Sequence, residues 1–309
     1  MARRLSLTLT TILFAVTAVW AQTPPASSPP PAPAGPPSLA TRYLPHLSDL
    51  FGSDLPELDR PNAIKLTVRP HFGDLVHRDY MRMETGLRWA LNDHFELKSA
   101  ASVFFTHGLK GSAGYGIGEL SGSAKYIFDD LPWTDYETSV ELSGEFPVGH
   151  PPLDMTDGYC HLRPTFVVQH QLQRYPRLTG FGGMGLDFIK KSTIPGTPGF
   201  NQPHDHSVSI TGGGVYDAGQ IKWTFTSTYA TTALIGQRTN HFLYVQPGLL
   251  WYVPRRFTFQ SKGQFILGLG ARTSVGPDGV DFSLSSRLRV EITLRQFMDG
   301  FRQRTSQAK

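Results

Sequence analysis

The sequence holds a single cysteine, Cys160, so no disulfide can form within the chain. Beyond the N-terminal segment no stretch approaches the ~18 apolar residues that a transmembrane helix needs. No basic block interleaved with aromatics occurs, and the formal net charge is only +4, so charge gives no reason to expect nucleic acid. The glycine-rich stretches "GGMG" and "TGGGV" lie within alternating segments and open no helix, which excludes a phosphate loop. What is present in quantity is Gly (31) and Pro (24), with most Gly interrupting segments that alternate apolar and polar residues.

The N-terminal "MARRLSLTLTTILFAVTAVWA" has a basic start at Arg3 and Arg4, an apolar stretch from Leu5 to Val16, and Ala21 before Gln22. This predicts a Sec-type signal peptide over 1–21. Residues 22–61 form a Pro/Ala/Ser-rich linker followed by a lead-in in which Leu44, Leu47, Leu50 and Phe51 share one helical face. Residues 62–297 are expected to form one β-domain, and 298–309 a short tail.

The segment "DFSLSSRLRVEITLRQF" shows the pattern that fills that domain. Apolar residues recur at every second position, apart from Ser286, and charged or hydroxyl residues lie between them. Such a strand has one greasy and one polar face. In a soluble sandwich the greasy face is buried; in a membrane barrel it meets lipid and the polar face lines the lumen. About twelve such segments follow one another, an even number, as in single-chain barrels.

Connections and aromatics decide between the two. "LNDH", "DDLPW", "QRYPR", "DAGQ" and "VPRR" are tight, whereas the connections between them, including 190–205 and 271–279, are longer. That alternation predicts a transmembrane antiparallel β-barrel with short periplasmic turns and longer outer loops. Trp89, Trp133, Trp223 and Trp251 each lie close to a short turn, as an interfacial girdle requires. The polar face then lines a charged lumen, with Lys65, Arg69, Arg82, Glu84, Arg88, Lys98, Lys125, Glu137, Glu141, Glu145, Arg287, Arg289 and Glu291 along the solute path. Glu137, Glu141 and Glu145 share one strand face, with Lys and Arg of neighbouring strands as their expected partners. Arg287, Arg289 and Arg295 of the closing strand, opposite that acidic run, predict a field across the lumen.

Residues 114–128, "GYGIGELSGSAKYIF", resemble a recurring stretch of the outer-membrane barrels grouped with the meta-pathway phenol-degradation protein. Gly116, Gly118, Lys125 and Tyr126 keep the pattern, and Glu119 stands where that group has Asp. "QPGLLWYV" at 246–253 is similar in a looser way. The resemblance implies an outer-membrane location and uptake of small, aromatic or apolar compounds, and it supplies no catalytic residue.

Enzyme chemistry finds little support. A barrel phospholipase places His and Ser two residues apart on one face, whereas His206 and Ser207 are adjacent and point to opposite faces. His204 and His206 share a face and offer only two metal ligands. The expectation is a Gram-negative-type outer-membrane channel, delivered by Sec-type export and the outer-membrane barrel assembly machinery. Membrane lipids and small-molecule solutes would be its partners, with no cofactor and no catalysis. The alternatives are a non-transporting structural or surface-binding barrel, or a lipid-modifying barrel enzyme.

Overall fold

The computed structural model describes residues 63–70, 78–107, 114–128, 136–153, 155–196, 201–258 and 264–293. They form β1 (Ala63–Pro70), β2 (Tyr80–Ala90), β3 (Phe95–Thr106), β4 (Tyr115–Phe128), β5 (Glu137–Pro147) and β6 (Tyr159–Gln171). These are followed by β7 (Leu178–Lys191), β8 (Ser207–Asp217), β9 (Ile221–Thr231), β10 (His241–Tyr252), β11 (Gln264–Gly276) and β12 (Gly279–Thr293). Each strand pairs antiparallel with its sequence neighbours, and β1 closes the ring on β12. The closing register sets Ile64 opposite Ile292 and Thr67 opposite Arg289.

Closure removes every sheet edge, so the twelve strands satisfy one another's backbone without water. Antiparallel partners share a face, so the period-two pattern propagates around the ring. Residues of the polar class (Lys65, Arg88, Glu96, Lys125, Glu141, Lys222) are buried, while Leu87, Leu97, Leu142, Phe166, Phe225 and Leu267 are exposed. On β5 the switch takes one residue: Glu141 is 4% exposed and Leu142 50%. A water-soluble sandwich would bury the leucine. Here the exposed face is apolar around the whole barrel, the solvent it matches is lipid, and the chain is a β-barrel of the outer membrane.

Two connections depart from the expected rhythm. The tight turn expected at 253–256 is only the start of a longer connection, in which Arg255–Phe257 make a 3-10 turn and β11 begins at Gln264. The loop expected at 271–279 is mostly strand. β11 runs on through Ser274, and the hairpin closes with Gly276 opposite Gly279. Gly279 has φ 111°, a conformation that side chains resist, so the Pro277-Asp278 turn is as tight as a hairpin allows. Alternation continues unbroken through Ala271, Thr273 and Val275, and that continuity extended the strand.

Candidate functional site

The inward face of β1 to β6 carries a chain of ion pairs. Arg69 pairs with Glu84 at 3.0 Å, Arg88 with Glu96 at 3.1 Å, and Lys98 with Glu141 at 3.1 Å. The last pair reaches from β3 past β4 to β5. Lys125, wholly buried, has Glu96 and Glu141 as its register partners on the two flanking strands. Arg163 on β6 lies between Glu145 and Asp187, to which its Nε donates at 2.9 Å, and Gln169 donates to Glu137. Charges this deep in a low-dielectric interior persist only with such partners. Each of the three β5 carboxylates is therefore met by a donor on an adjacent or near-adjacent strand, and the acidic run is compensated where it stands.

Above these pairs lies a chamber of about 220 Å³ on the wall formed by β1 to β5, with Arg69, Glu84, Arg88, Lys98 and Glu141 around it. It exists because one row of inward positions is small: Thr67, Gly86, Ala100 and Ser121 follow one another across β1 to β4 in register.

The inward face of β7 to β11 is different. Gly183, Gly185, Ser209, Thr211, Gly213, Thr226 and Thr228 occupy it, with Thr211 and Thr228 hydroxyls 2.9 Å apart. Toward the short-turn end Val215, Leu250 and Ile266 pack together against Phe181 and Tyr252, and the Lys222 ammonium sits 5.3 Å over the Tyr252 ring.

At the opposite end three loops converge. Loop 148–158 drops Met155 onto Phe104 and Tyr80, beside Gly118, which is left unpaired where the β3–β4 register shifts. A Cβ at Gly118 would overlap the Met155 side chain. The same loop joins loop 192–206 through Gly158 and Gly196, whose backbones approach so closely that a Cβ on Gly196 would overlap Gly158. Gly158 also adopts φ 78°, closed to most other residues. Loop 192–206 buries Asn201 completely, and its carbonyl accepts from the Tyr244 hydroxyl at 3.1 Å. Asp205 then accepts from the N–H groups of Gln237 and Arg238 in loop 232–240. Slight burial opposes the Asp205 charge, but these bonds and the His206 N–H hold its carboxyl below the usual range.

His161 ties the loops to the wall. Its Nε2 lies 2.9 Å from Asp157 in loop 148–158, and its Nδ1 lies 3.0 Å from Asp187 on β7. The imidazolium, with two donors, satisfies both carboxylates at once. Burial works against the charge of Asp157, but bonds from His161 and the Tyr159 N–H, with the charge of Arg163, hold its carboxyl below the usual range.

Of the residues singled out from sequence, Lys65, Arg69, Glu84, Arg88, Lys98, Lys125, Glu137, Glu141 and Glu145 fall on this one connected wall. Arg82 shares their parity, opposite Phe104. Arg287, Arg289 and Glu291 stand opposite Gly268, Ile266 and Gln264 in the β11 register; their side chains lie outside the described residues. Trp89, Trp223 and Trp251 are at the short-turn end, the first two well exposed, joined by Tyr126, Phe128 and Tyr216. Trp133 lies outside the described residues. His206 accepts a hydrogen bond from Ile189 N–H at 3.0 Å, and His204 stacks on Tyr159, so both serve the loop packing.

Sequence reasoning missed the His161, Asp157, Arg163 and Asp187 cluster as a unit. The signal was present as His161 and Arg163 two residues apart, on one face, but their acidic partners come from a loop and from the next strand. It also passed over Glu96 as the partner of Arg88, although each lies close to the "LNDH" turn that joins their strands.

No family model matches the chain, and no curated protein matches it. Among solved structures it is similar to an outer-membrane channel of Pseudomonas putida F1, at 12% identity and TM-score 0.48, over 76% of this chain and 96% of that one. It is also similar to Wzi of Escherichia coli, a carbohydrate-binding β-barrel involved in group 1 capsule assembly. That match is at 10% identity and TM-score 0.30, over 74% of this chain and 55% of Wzi. OccK5 of Pseudomonas aeruginosa matches at 13% identity and TM-score 0.31, over 74% of this chain and 62% of that chain.

Proposed function

We propose that this barrel is an outer-membrane channel or transporter that passes small polar solutes through a charge-lined lumen, without catalysis. The observation that carries the reading is the chamber among Arg69, Arg88, Lys98, Glu84 and Glu141, an open space inside a wall of compensated charges. A purely structural barrel of this size is free to fill that row with large side chains, as small barrels do. The lumenal charges, Arg287, Arg289 and Glu291 included, form the solute path, and selectivity follows from the slight excess of cations. Residues 1–21 direct export, and the barrel assembly machinery inserts residues 62–297.

The outer loops add control. Loops 148–158, 192–206 and 232–240 are bonded to one another and to the wall, which holds Met155 and Asn201 in place at that end. The small aromatic or apolar compounds implied by the phenol-degradation resemblance have a matching surface in the Val215, Leu250 and Ile266 cluster near the other end.

Planar-bilayer recordings of the refolded chain test the proposal. Discrete conductance steps, and swelling of liposomes in small sugars or amino acids, are expected. Silent bilayers with correctly folded, heat-modifiable protein overturn it in favour of a surface-binding barrel that presents its bonded outer loops.

A further inference from the structure

We infer that the chamber on the β1–β5 wall is a binding site for a small hydroxylated monocarboxylate, of the size and chemistry of a six-carbon aldonate. The inference deepens the channel reading by naming what the lumen selects.

The size comes first. An apolar cavity of ~150 Å³ accepts benzene. A chamber of about 220 Å³ therefore takes a solute somewhat larger than one six-membered ring. The lining carries several polar groups: hydroxyls of Thr67, Ser121, Ser123 and Ser143 face a space whose floor is Gly86 and Ala100. Among the described residues no aromatic ring borders it. A polyhydroxylated solute suits these walls better than a flat apolar one.

Charge selects the acid. Arg69, Arg88 and Lys98 border the chamber with Glu84 and Glu141, and Arg88 is held by Glu96 beside it. The guanidinium of Arg69 uses Nη1 on Glu84, while its Nε is buried with no hydrogen-bond partner. A buried guanidinium Nε without a partner is a donor that a ligand carboxylate can engage with a charge-assisted hydrogen bond. Ser123 Oγ is likewise buried and unpartnered, on the same wall. Buried polar atoms rarely go unpaired in proteins, and two of them bordering one chamber mark positions where a ligand supplies the missing partners. The two glutamates disfavour a second negative charge, so a monocarboxylate fits and a dicarboxylate does not.

Space can be removed without disturbing the wall. A Cβ at Gly86 would make only ordinary contacts with Ala100 and Thr67, so this row has room for added atoms. Ala100→Leu fills the chamber with an apolar side chain. Ser123→Ala removes a hydroxyl that holds nothing else, so folding should be untouched.

The test is titration calorimetry of the full refolded chain in detergent with gluconate, glucose, hexanoate and glucarate. Gluconate should bind, and each of the other three should bind at least about tenfold more weakly, each lacking a matched charge-assisted or hydroxyl contact. Ser123→Ala and Arg69→Gln should weaken gluconate by about tenfold, and Ala100→Leu should abolish its heat. Equal binding of hexanoate or glucarate, no gluconate heat with folded protein, or full gluconate affinity in Ala100→Leu would each overturn the site. Conductance measured on the same preparation separates the two readings. Pores without gluconate binding sink this inference alone, and gluconate binding without pores supports it while sinking the channel.

Discussion

The two inner walls of the barrel solve the same problem by different means. From β1 to β6 the inward positions hold many long charged side chains, several of them paired with an opposite charge on a nearby strand. From β7 to β11 they hold mainly Gly, Ser and Thr with a few aliphatic and aromatic residues, and among the described residues charge is sparse, supplied by Asp187, Arg272 and the Asp217–Lys222 pair. A twelve-stranded ring is too wide for uniformly small residues to fill and too narrow for long ones on every strand. Placing length on one side and glycine on the other fills the short-turn level while leaving the chamber above it. The comparison also shows why charge on the first wall is structural: the Arg88–Glu96 pair is fully buried, and neither ion can be removed without leaving a buried partner behind.

The largest expected effect follows from that. Replacing Glu96 by Leu strands the buried Arg88 guanidinium and should cost about 3–5 kcal/mol. Urea unfolding in lipid vesicles, followed by tryptophan fluorescence, measures it. The double variant Arg88→Met/Glu96→Leu should recover most of the loss, because the pair is then replaced by packed apolar groups. If the single variant is as stable as the parent, the first wall is not held by its pairs.

A somewhat smaller loss is expected on the lipid side of the same wall. Leu142→Arg places a cation in the apolar belt near the middle of β5 and should cost about 2–4 kcal/mol. The same substitution in a soluble sandwich would be destabilising only if Leu142 were buried, and it is half exposed. Vesicle-embedded folding free energies separate the cases.

The second wall should be forgiving. Thr211→Val removes one hydroxyl from the 2.9 Å Thr211–Thr228 contact and should cost about 1 kcal/mol. A loss above that of Glu96→Leu would reverse the comparison between the walls.

Much of this architecture was legible in the residues. Alternation is a local property, so segments such as 281–294 disclose both strand and facing without any knowledge of their neighbours. The closing hairpin is less legible, because Gly276-Pro277-Asp278-Gly279 reads as one loop with Ala271 to Val275, although alternation runs straight through those residues. Pairing was harder. Lys98 and Glu141 lie 43 residues apart in sequence and meet only because β4 holds β3 and β5 at the right offset. No sequence pattern fixes that offset. The loop contacts were least legible, since Asp157 and Asn201 carry no period and derive their roles from the wall they reach.

The smallest effect concerns where the first wall meets the outer loops. Asp157 anchors loop 148–158 through His161, and its carboxyl is held below the ordinary range against the opposing effect of burial. A depressed folded value means that the anchor's contribution is fully present above the unfolded value, ~3.9, and is lost as pH falls through the lower folded one. Between pH 5 and 8 the loop should therefore stay fixed, and conductance should not depend on this group. As pH falls through that lowered folded value, beneath the ordinary carboxylate range, the carboxyl protonates, His161 keeps only Asp187, and loop 148–158 should loosen, carrying Met155 away from Phe104 and Tyr80. Asp157→Asn should show the loosened behaviour already at neutral pH, with more frequent opening and no change in unitary conductance, since the β1–β5 chamber is untouched. Single-channel recordings with acid on the loop side alone make the measurement. Equal open probability in Asp157→Asn and the parent at pH 7 would show that the His161 anchor does not hold this mouth.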